Sequence, residues 1–289
     1  MTLIMSKIRI VTDSTADLSQ ELVERYQIEM VPLTVTINGT SYKDKVDITN
    51  ETFYQLMQSS EELPTTSQIT PAEFAEVYQR IAREGTEHII SIHLASDLSG
   101  TYQSSVLAAN MVQDTIAVHN IDSRNATIGM GLIVLSAAKM VESGMALEEI
   151  LERLQEIVAK TEIYFLLDSL DNLHKGGRIG KASQLVGSLL NIKPILCLKD
   201  GVISAYEKVR GNKGNKAQER LIDILIEKID PDKEVYCVIG YCDNLEHSQH
   251  IQERLEGKIN CSEFVYMQIG SVVGTHIGMG ANGMAFYQL

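Results

Sequence analysis

A hydroxyl-rich turn between a buried strand and a helix constrains this chain most. Residues 88–93, His-Ile-Ile-Ser-Ile-His, form a short β-branched apolar run that is typical of a buried parallel strand. Ser96, Ser99 and Thr101 follow this run, and a helical pattern comes next. The carboxyl ends of parallel strands are where α/β sheets bind ligands, and the N–H groups of a helix start attract anions. The turn therefore predicts a pocket for a negatively charged group, although Ser96 or Ser99 could instead serve only as a helix cap.

Strand-like and helix-like segments alternate through the first 160 residues. The strand patterns are Lys7–Val11, Met30–Ile37, His88–His93 and Ile116–Ile121. Ser14 or Thr15 is expected to cap a helix that extends to Tyr26, and Pro64–Gln68 is expected to form a polar turn. Asn38-Gly39 is a hairpin signal. The alternation predicts a doubly wound, mostly parallel sheet.

The second half of the chain has a different pattern. Strand-like segments flank Asp200-Gly201, which predicts a β-hairpin. Ala182–Asn191 is predicted to be a buried helix. Antiparallel pairing beside helices is typical of an α+β domain. We therefore predict two domains: an α/β domain over residues 1–160, and an α+β domain with a mixed or antiparallel sheet over residues 161–289, with a ligand between them.

The charge of the chain limits its function and is unevenly distributed. The formal net charge of -13 at pH 7 argues against a general nucleic-acid binder, which needs a basic surface. Residues 175–216 nevertheless contain nine Lys and Arg and only two acidic residues. Such a basic segment would steer an anion or an acidic partner, or it is an ordinary solvated face. The sequence leaves both interpretations open.

The sequence predicts a cytoplasmic protein without a membrane segment. No run approaches the ~18 apolar residues of a membrane helix, and the first residues lack the apolar stretch of a signal peptide. The four cysteines show neither Cys-x-x-Cys nor zinc-site spacing. We expect reduced thiols, which are typical of cytosolic proteins.

No catalytic motif in the sequence is complete. Lys175–Lys181 resembles a P-loop, but its glycines, Gly176 and Gly180, are one residue too close, and Ala182 stands where a hydroxyl is needed. A Gly-x-Ser-x-Gly elbow is absent from the sequence. We therefore predict no catalytic residue, no cofactor and no metal. His276 is a candidate of another kind, because it lies among glycines and its imidazole can donate to an anion.

Five short segments, taken together, resemble the DegV family of fatty-acid-binding proteins, the lipid-carrying subunits of bacterial fatty acid kinase. The segments are Thr12–Leu18, Thr65–Gln68, Leu98–Ser104, Lys175–Ile179 and Gly274–Gly278. They are distributed over essentially the whole chain. The sequence departs from the family pattern at Ala95, where a serine is usual, and at Ile69 and Met279, where prolines are usual.

The resemblance implies a long-chain fatty acid buried in a tunnel between two α/β domains. It implies that Thr66, Ser96 and His276 hold the carboxylate, with Ser99 and Gly100 as further contacts in the same turn. Hydroxyl and imidazole groups would supply charge-assisted hydrogen bonds to a carboxylate that leaves water. The protein would then be a non-catalytic lipid-binding subunit rather than an enzyme.

The resemblance also implies a protein partner, a separate ATP-dependent fatty acid kinase that converts the bound acid into an acyl phosphate. The expected secondary ligand or partner contacts are Lys175, Gly177, Arg178 and Arg210. Arg178 is the main candidate for docking, because its planar fork can hold a carboxylate or phosphate bidentately. Transient membrane contact would allow lipid exchange. The alternatives are a stand-alone phosphotransferase and a general lipid carrier or regulator.

Overall fold

The structure, a computed structural model, describes residues 7–186, 192–211 and 215–289. The strands are β1 (Ile8–Asp13), β2 (Glu29–Val31), β3 (Thr34–Ile37), β4 (Thr40–Lys43), β5 (Thr65–Ser67), β6 (His88–His93), β7 (Ala117–Asp122), β8 (Glu162–Leu166), β9 (Ile192–Lys199), β10 (Val202–Arg210), β11 (Tyr236–Tyr241), β12 (Phe264–Gln268) and β13 (Asn282–Tyr287). The helices are α1 (Gln20–Arg25), α2 (Asn50–Ser59), α3 (Pro71–Arg83), α4 (Thr101–Met111), α5 (Thr127–Glu142), α6 (Leu147–Lys160), α7 (Asp171–Lys175), α8 (Lys216–Lys228), α9 (Leu245–Leu255) and α10 (Ser271–Ile277).

The first sheet is parallel, with strand order β2-β1-β6-β7. Alternate side chains of its strands enter two different cores. Val11 and Ile89 pack in the core that contains α3 and α4, whereas Ile10 and Ile90 pack in the core that contains α5 and α6. Helices therefore cover both faces, which confirms the predicted doubly wound arrangement.

The second sheet is mixed, with strand order β10-β9-β8-β13-β11-β12. β11 and β12 run parallel, and the other neighbouring strands run antiparallel. The predicted hairpin is confirmed: Asp200 and Gly201 join β9 to β10 with positive φ angles of 51° and 80°, as a two-residue hairpin turn requires. Side chains of α8 and α9, such as Leu221 and Ile251, cover one face of this sheet.

The hairpin predicted at Asn38-Gly39 is confirmed, because these two residues join antiparallel β3 and β4 with positive φ angles of 49° and 78°. The addition of β5, which completes a small antiparallel sheet of order β4-β3-β5, is not predicted by the sequence. Prediction of a polar turn over Pro64–Gln68 is wrong, because Thr65–Ser67 pairs with β3 as a strand and places Thr66 opposite Val35. The single strand predicted over Met30–Ile37 is also wrong. Pro32, which has no N–H to donate, separates β2 in the first sheet from β3 in this one.

Two predicted helices differ from the structure. The helix expected from Ser14 or Thr15 begins only at Gln20, since Ser19 accepts the N–H of Leu22 and caps it. Residues 14–16 form a 3-10 turn instead. The buried helix predicted over Ala182–Asn191 is wrong at its start, because residues 180–185 also form a 3-10 turn. The end of that prediction, 187–191, lies outside the described residues.

Helix α5 lies between the two large sheets and connects their cores. One continuous cluster includes Ile10 and Ile90 of the first sheet, Ile133 of α5, and Val238 and Ala285 of the second sheet. The domain boundary predicted after residue 160 stays a prediction. Across the described part of the chain, the helices are too short or too polar to span a membrane.

Candidate functional site

A cavity of about 380 Å³ lies between the first and second sheets. Segments that follow the strands of the first sheet form one wall, and β8, β9, β10, β13 and α10 form the other. Most of the lining is apolar and includes Leu94, Ile128, Ile163, Phe165, Leu198 and Val272. The volume lies within the range of about 300–1,000 Å³ that is common for small-molecule sites. The cavity is suited to an apolar ligand body.

A hydroxyl and an imidazole meet at the wall of this cavity. The Oγ1 atom of Thr66 and the Nε2 atom of His276 are 2.9 Å apart, although the residues are separated by 210 positions in the sequence. Pairing of β5 with β3 positions Thr66, and α10 positions His276. The Nδ1 atom of His276 is buried and has no hydrogen-bond partner among the residues that the structure describes. The hydrogen bond of the pair can run in either direction, so the Thr66 hydroxyl can still donate to a ligand when Nε2 is the donor.

The imidazole of His276 is neutral in the unliganded protein. Burial, followed by the positive charge of Arg178, lowers the pKa of His276 to about 4. A neutral imidazole carries one N–H donor and one acceptor nitrogen. A side chain at Gly176 would stand 2.5 Å from His276 Nδ1, so the Gly-Gly segment leaves room for the ring. When the N–H at Nε2 donates to Thr66 Oγ1, the threonine hydroxyl stays free to donate to a carboxylate in the cavity.

The turn before α4 brings a second hydroxyl to the cavity. Ser99 lines the cavity, and its Oγ atom lies 3.0 Å from Oγ1 of Thr101. Gln68 also lines the cavity, and its Nε2 donates to Ser104 Oγ at 3.2 Å. Gly100 does not line the cavity, but a side chain there would overlap the amide of Gln68. The sequence indicates Gln68 only as the last residue of the Thr65–Gln68 segment and assigns it no contact with a ligand.

Ser96, predicted to hold a carboxylate, lies elsewhere. Its side chain is exposed and does not line the cavity. Its backbone N–H donates to the Asp122 carboxylate at 3.4 Å, so the nearest charge would repel an anionic ligand. The structure brings Ser99, Thr66 and His276 to the cavity and leaves Ser96 outside. The two serines lie in one short turn, and their orientations depend on backbone geometry that the sequence pattern does not encode.

Arg178 lies at the edge of the cavity rather than on a separate surface. Its Nε donates to the carbonyl oxygen of Leu98 at 3.3 Å, and its Nη1 donates to the carbonyl oxygen of Gly176 at 2.8 Å. These bonds connect the turn before α4 with the turn after α7. Arg178 lines the cavity together with Thr66 and His276. The sequence expectation assigned it mainly to partner docking, whereas the structure brings it to the same site.

An outer groove of about 600 Å³ adjoins the cavity and shares Thr66, Arg178 and His276 with it. Lys175 lines this groove, as do Glu61 and Glu62. The other predicted contact residues, Gly177 and Arg210, line neither the cavity nor the groove. Gly177 adopts a positive φ of 72° in the turn after α7, and Arg210 is exposed at the end of β10.

A separate polar network is sealed inside the first sheet and its helices. Asp13 Oδ2 lies 3.0 Å from His93 Nδ1, His93 Nε2 lies 2.7 Å from Ser91 Oγ, and Ser91 Oγ lies 2.7 Å from Tyr78 Oη. All four side chains are fully buried, and none lines the cavity. The Ser-His-Asp order resembles a catalytic triad, but a substrate has no access to the serine. Sequence reasoning missed this network, because no local pattern links residues 80 positions apart.

Comparisons with known proteins agree with this architecture. The model of the DegV family matches residues 7–289. A DegV domain-containing protein of Caldanaerobacter subterraneus subsp. tengcongensis is 40% identical over 284 residues, which cover 98% of this chain and 99% of that protein. Among solved structures, a fatty acid-binding DegV family protein from Thermus thermophilus has a TM-score of 0.90 and 35% identity, and the match covers 99% of this chain and 100% of that one. DegV from Bacillus subtilis, described as a fatty acid binding protein, has a TM-score of 0.89 and 34% identity with the same coverage.

These matches place the chain in a class of α/β proteins whose solved members share its fold along almost its whole length. The chain belongs to the DegV family.

Proposed function

We propose that this protein binds a long-chain fatty acid, with the alkyl chain in the cavity and the carboxylate at Thr66, Ser99 and His276. The observation that carries the proposal is that an apolar cavity includes a hydroxyl–imidazole pair whose hydroxyl can donate to an anion when the imidazole N–H donates to it. The fatty acid binding ascribed to the relatives from Thermus thermophilus and Bacillus subtilis supports it.

Transfer energies indicate that such a ligand would bind tightly. About fourteen methylenes at ~0.8 kcal/mol each contribute roughly 11 kcal/mol of gross transfer free energy. Ordering of the chain and loss of overall motion offset part of this gain. The carboxylate requires paired donors, because burying it without them is costly. The cavity would bury the alkyl chain, and the Thr66–His276 pair would provide the hydrogen bond to the carboxylate.

Mass spectrometry under native conditions tests the proposal. Protein purified without detergent is expected to carry a bound mass of a long-chain fatty acid. Delipidated protein is expected to take up added fatty acid, and Thr66→Val and His276→Ala are expected to weaken this binding. Tyr78→Phe, which alters only the sealed network, is the matched control. Lipid-free protein that binds no added fatty acid would contradict the proposal.

We further propose that the bound carboxylate is presented to a separate ATP-dependent fatty acid kinase in the cytoplasm. Thr66, Arg178 and His276 line both the cavity and the outer groove, so a carboxylate held there would be reachable from outside. The incomplete P-loop supports assigning phosphoryl transfer to the partner. Transient membrane contact during lipid exchange is part of the same proposal.

Acyl phosphate formation distinguishes the alternatives. The protein is incubated with ATP, Mg²⁺ and fatty acid, with and without the kinase subunit, and acyl phosphate is trapped with hydroxylamine. Product that requires the kinase supports presentation to a partner. Product formed without it would indicate a stand-alone phosphotransferase. Lipid binding without product in either mixture would indicate a general lipid carrier or regulator.

A further inference from the structure

Two buried carboxylates hold the start of α10, the helix that carries His276. Asp17 Oδ1 accepts the N–H of Gly270 at 2.9 Å, and Asp44 accepts the hydroxyl of Ser271. Asp17 is 2% exposed and Asp44 is 1% exposed. These bonds connect α10 to chain segments 253 and 227 residues earlier. The start of α10 is thus fixed by the segments around β1 and β4.

The cluster of Asp17, Asp44 and Lys45 is not expected to contribute much to the stability of the fold. Lys45 Nζ is 3.8 Å from Asp17 Oδ1, and it also donates to the carbonyl oxygen of Leu18 at 3.0 Å. One lysine therefore faces two carboxylates. Burial raises the pKa of Asp17 to about 7 and also raises the pKa of Asp44. Because buried charges are costly to desolvate, the benefit of the cluster is better sought in the geometry that it imposes.

Close packing around α10 means that the position of its first turn also determines the position of His276. A side chain at Gly270 would stand 2.7 Å from Asp17 Oδ1, and one at Gly274 would stand 2.7 Å from Tyr54 Oη. The helix therefore fits closely at its start and along one side. Another side carries cavity-lining residues, among them His276. A displacement of the first turn would move the imidazole away from Thr66.

We propose that Asp17 and Asp44 are positioning residues for His276, because they fix the first turn of α10 and thereby the place at which the next turn presents the imidazole to the cavity. The proposal rests on the proposed role of His276 in holding a carboxylate. It gives a role to the second aspartate of the Thr-Asp-Ser-Thr-Ala-Asp segment.

The test measures the imidazole of His276 by NMR titration in ligand-free protein, with His276→Gln for assignment. The parent is expected to titrate near pH 4, in line with its pKa. Asp17→Ala and Ser271→Ala are expected to raise this midpoint by about one pH unit, because a displaced ring is less buried. Asp17→Asn retains an oxygen acceptor for Gly270 and is expected to stay close to the parent. Fatty acid affinity is expected to fall about tenfold in Asp17→Ala and much less in Asp17→Asn.

Tyr78→Phe is the control for general destabilisation, since it removes a buried hydrogen bond that does not involve α10. It is expected to lower the melting temperature and leave the His276 midpoint and the lipid affinity unchanged. If Asp17→Ala does not fold, Ser271→Ala carries the test with a single lost hydroxyl. Parent-like midpoints in Ser271→Ala and in any folded Asp17→Ala would overturn the proposal. If the parent itself binds no fatty acid, the proposed function fails, while the NMR midpoints still decide the positioning role.

Discussion

The protein contains two histidine–hydroxyl pairs of similar geometry in very different surroundings. His93 lies 2.7 Å from Ser91, and His276 lies 2.9 Å from Thr66. In the first pair, the other ring nitrogen is bonded to Asp13 and every member is fully buried. In the second pair, the other ring nitrogen has no partner within the described part of the chain, and both side chains line a cavity.

The difference shows that residue types alone do not define a functional site. The sealed network satisfies its own hydrogen bonds, so it rigidifies the core around β1 and β6 and offers nothing to a ligand. The Thr66–His276 pair keeps hydrogen-bonding capacity where apolar space is available. Buried polar groups are normally satisfied, so a hydroxyl that can still donate into an apolar cavity is informative.

Removal of the carboxylate from the sealed network should give the largest effect. Asp13 accepts hydrogen bonds from the backbone N–H groups of Thr15 and Leu94 and from the ring of His93. Asp13→Ala leaves these buried donors unpaired and is expected to lower the free energy of unfolding by about 3–5 kcal/mol. Urea denaturation measures this change. A loss below about 1 kcal/mol would show that the network is not the rigid element described here.

Substitutions in the Thr66–His276 pair should instead change ligand affinity more than stability. His276→Ala and Thr66→Val are each expected to weaken fatty acid binding by about 1.5–3 kcal/mol, the usual effect of losing a hydrogen bond to a charged group. Their free energies of unfolding are expected to change much less than that of Asp13→Ala. Calorimetric titration with a fatty acid, beside urea denaturation of the same samples, provides both values. Unchanged affinity in both variants would place the carboxylate elsewhere.

Protonation of His276 provides a more selective test of the same pair. Its pKa is lowered to about 4 in the folded protein, against an ordinary value of 6.5. Between these values the unfolded chain binds the proton and the folded chain does not, so stability from this residue is lost as the pH falls from 6.5 toward 4. The loss is at most about 1.4 kcal/mol per pH unit.

The measurement compares the pH dependence of urea unfolding for the parent and His276→Gln. The parent is expected to lose stability more steeply below pH 6.5, because the variant lacks the titrating ring while other groups contribute equally to both. Parallel curves for the two proteins would mean that His276 is not held in its neutral form.

The sequence predicts the parallel sheet and the β9–β10 hairpin because their signals are local. Apolar β-branched runs mark β1 and β6, and Asp200-Gly201 marks the turn. β5 and α10 are not predicted, since Thr65–Ser67 lacks apolar alternation and α10 is a seven-residue helix that contains Gly274 and is flanked by Gly270 and Gly278. Both elements depend on distant partners, β3 for one and α2 for the other.

The site itself was only partly accessible from the sequence. Thr66 and His276 were expected from the resemblance to the DegV family, and the structure brings them within hydrogen-bond distance of each other. The choice of Ser96 over Ser99 depended on the side-chain directions in a short turn, which composition cannot supply. The helix cap predicted at Ser14 or Thr15 would place Asp17 in the first helical turn, whereas Asp17 has a left-handed φ of 53° and accepts the N–H of Gly270.

The smallest expected effect is that of the Lys175 charge on the rate at which an anionic ligand reaches Thr66 and His276. Lys175 lines the outer groove beside Thr66 and His276, whereas Arg210 is exposed and lines neither the groove nor the cavity. Lys175→Ala should slow the association of an anionic fluorescent fatty acid by less than tenfold, because a single surface charge steers an anion only weakly. Arg210→Ala removes the same type of charge outside the groove and should have a weaker effect.

Stopped-flow association rates of both variants are measured at about 0.1 M and 1 M salt. The higher concentration screens the charges, since the Debye length falls from about 10 Å to 3 Å. The difference between the variants should disappear at the higher salt concentration. Equal rates for Lys175→Ala and Arg210→Ala at the lower salt concentration would show that the groove is not the entrance that leads the carboxylate to Thr66 and His276.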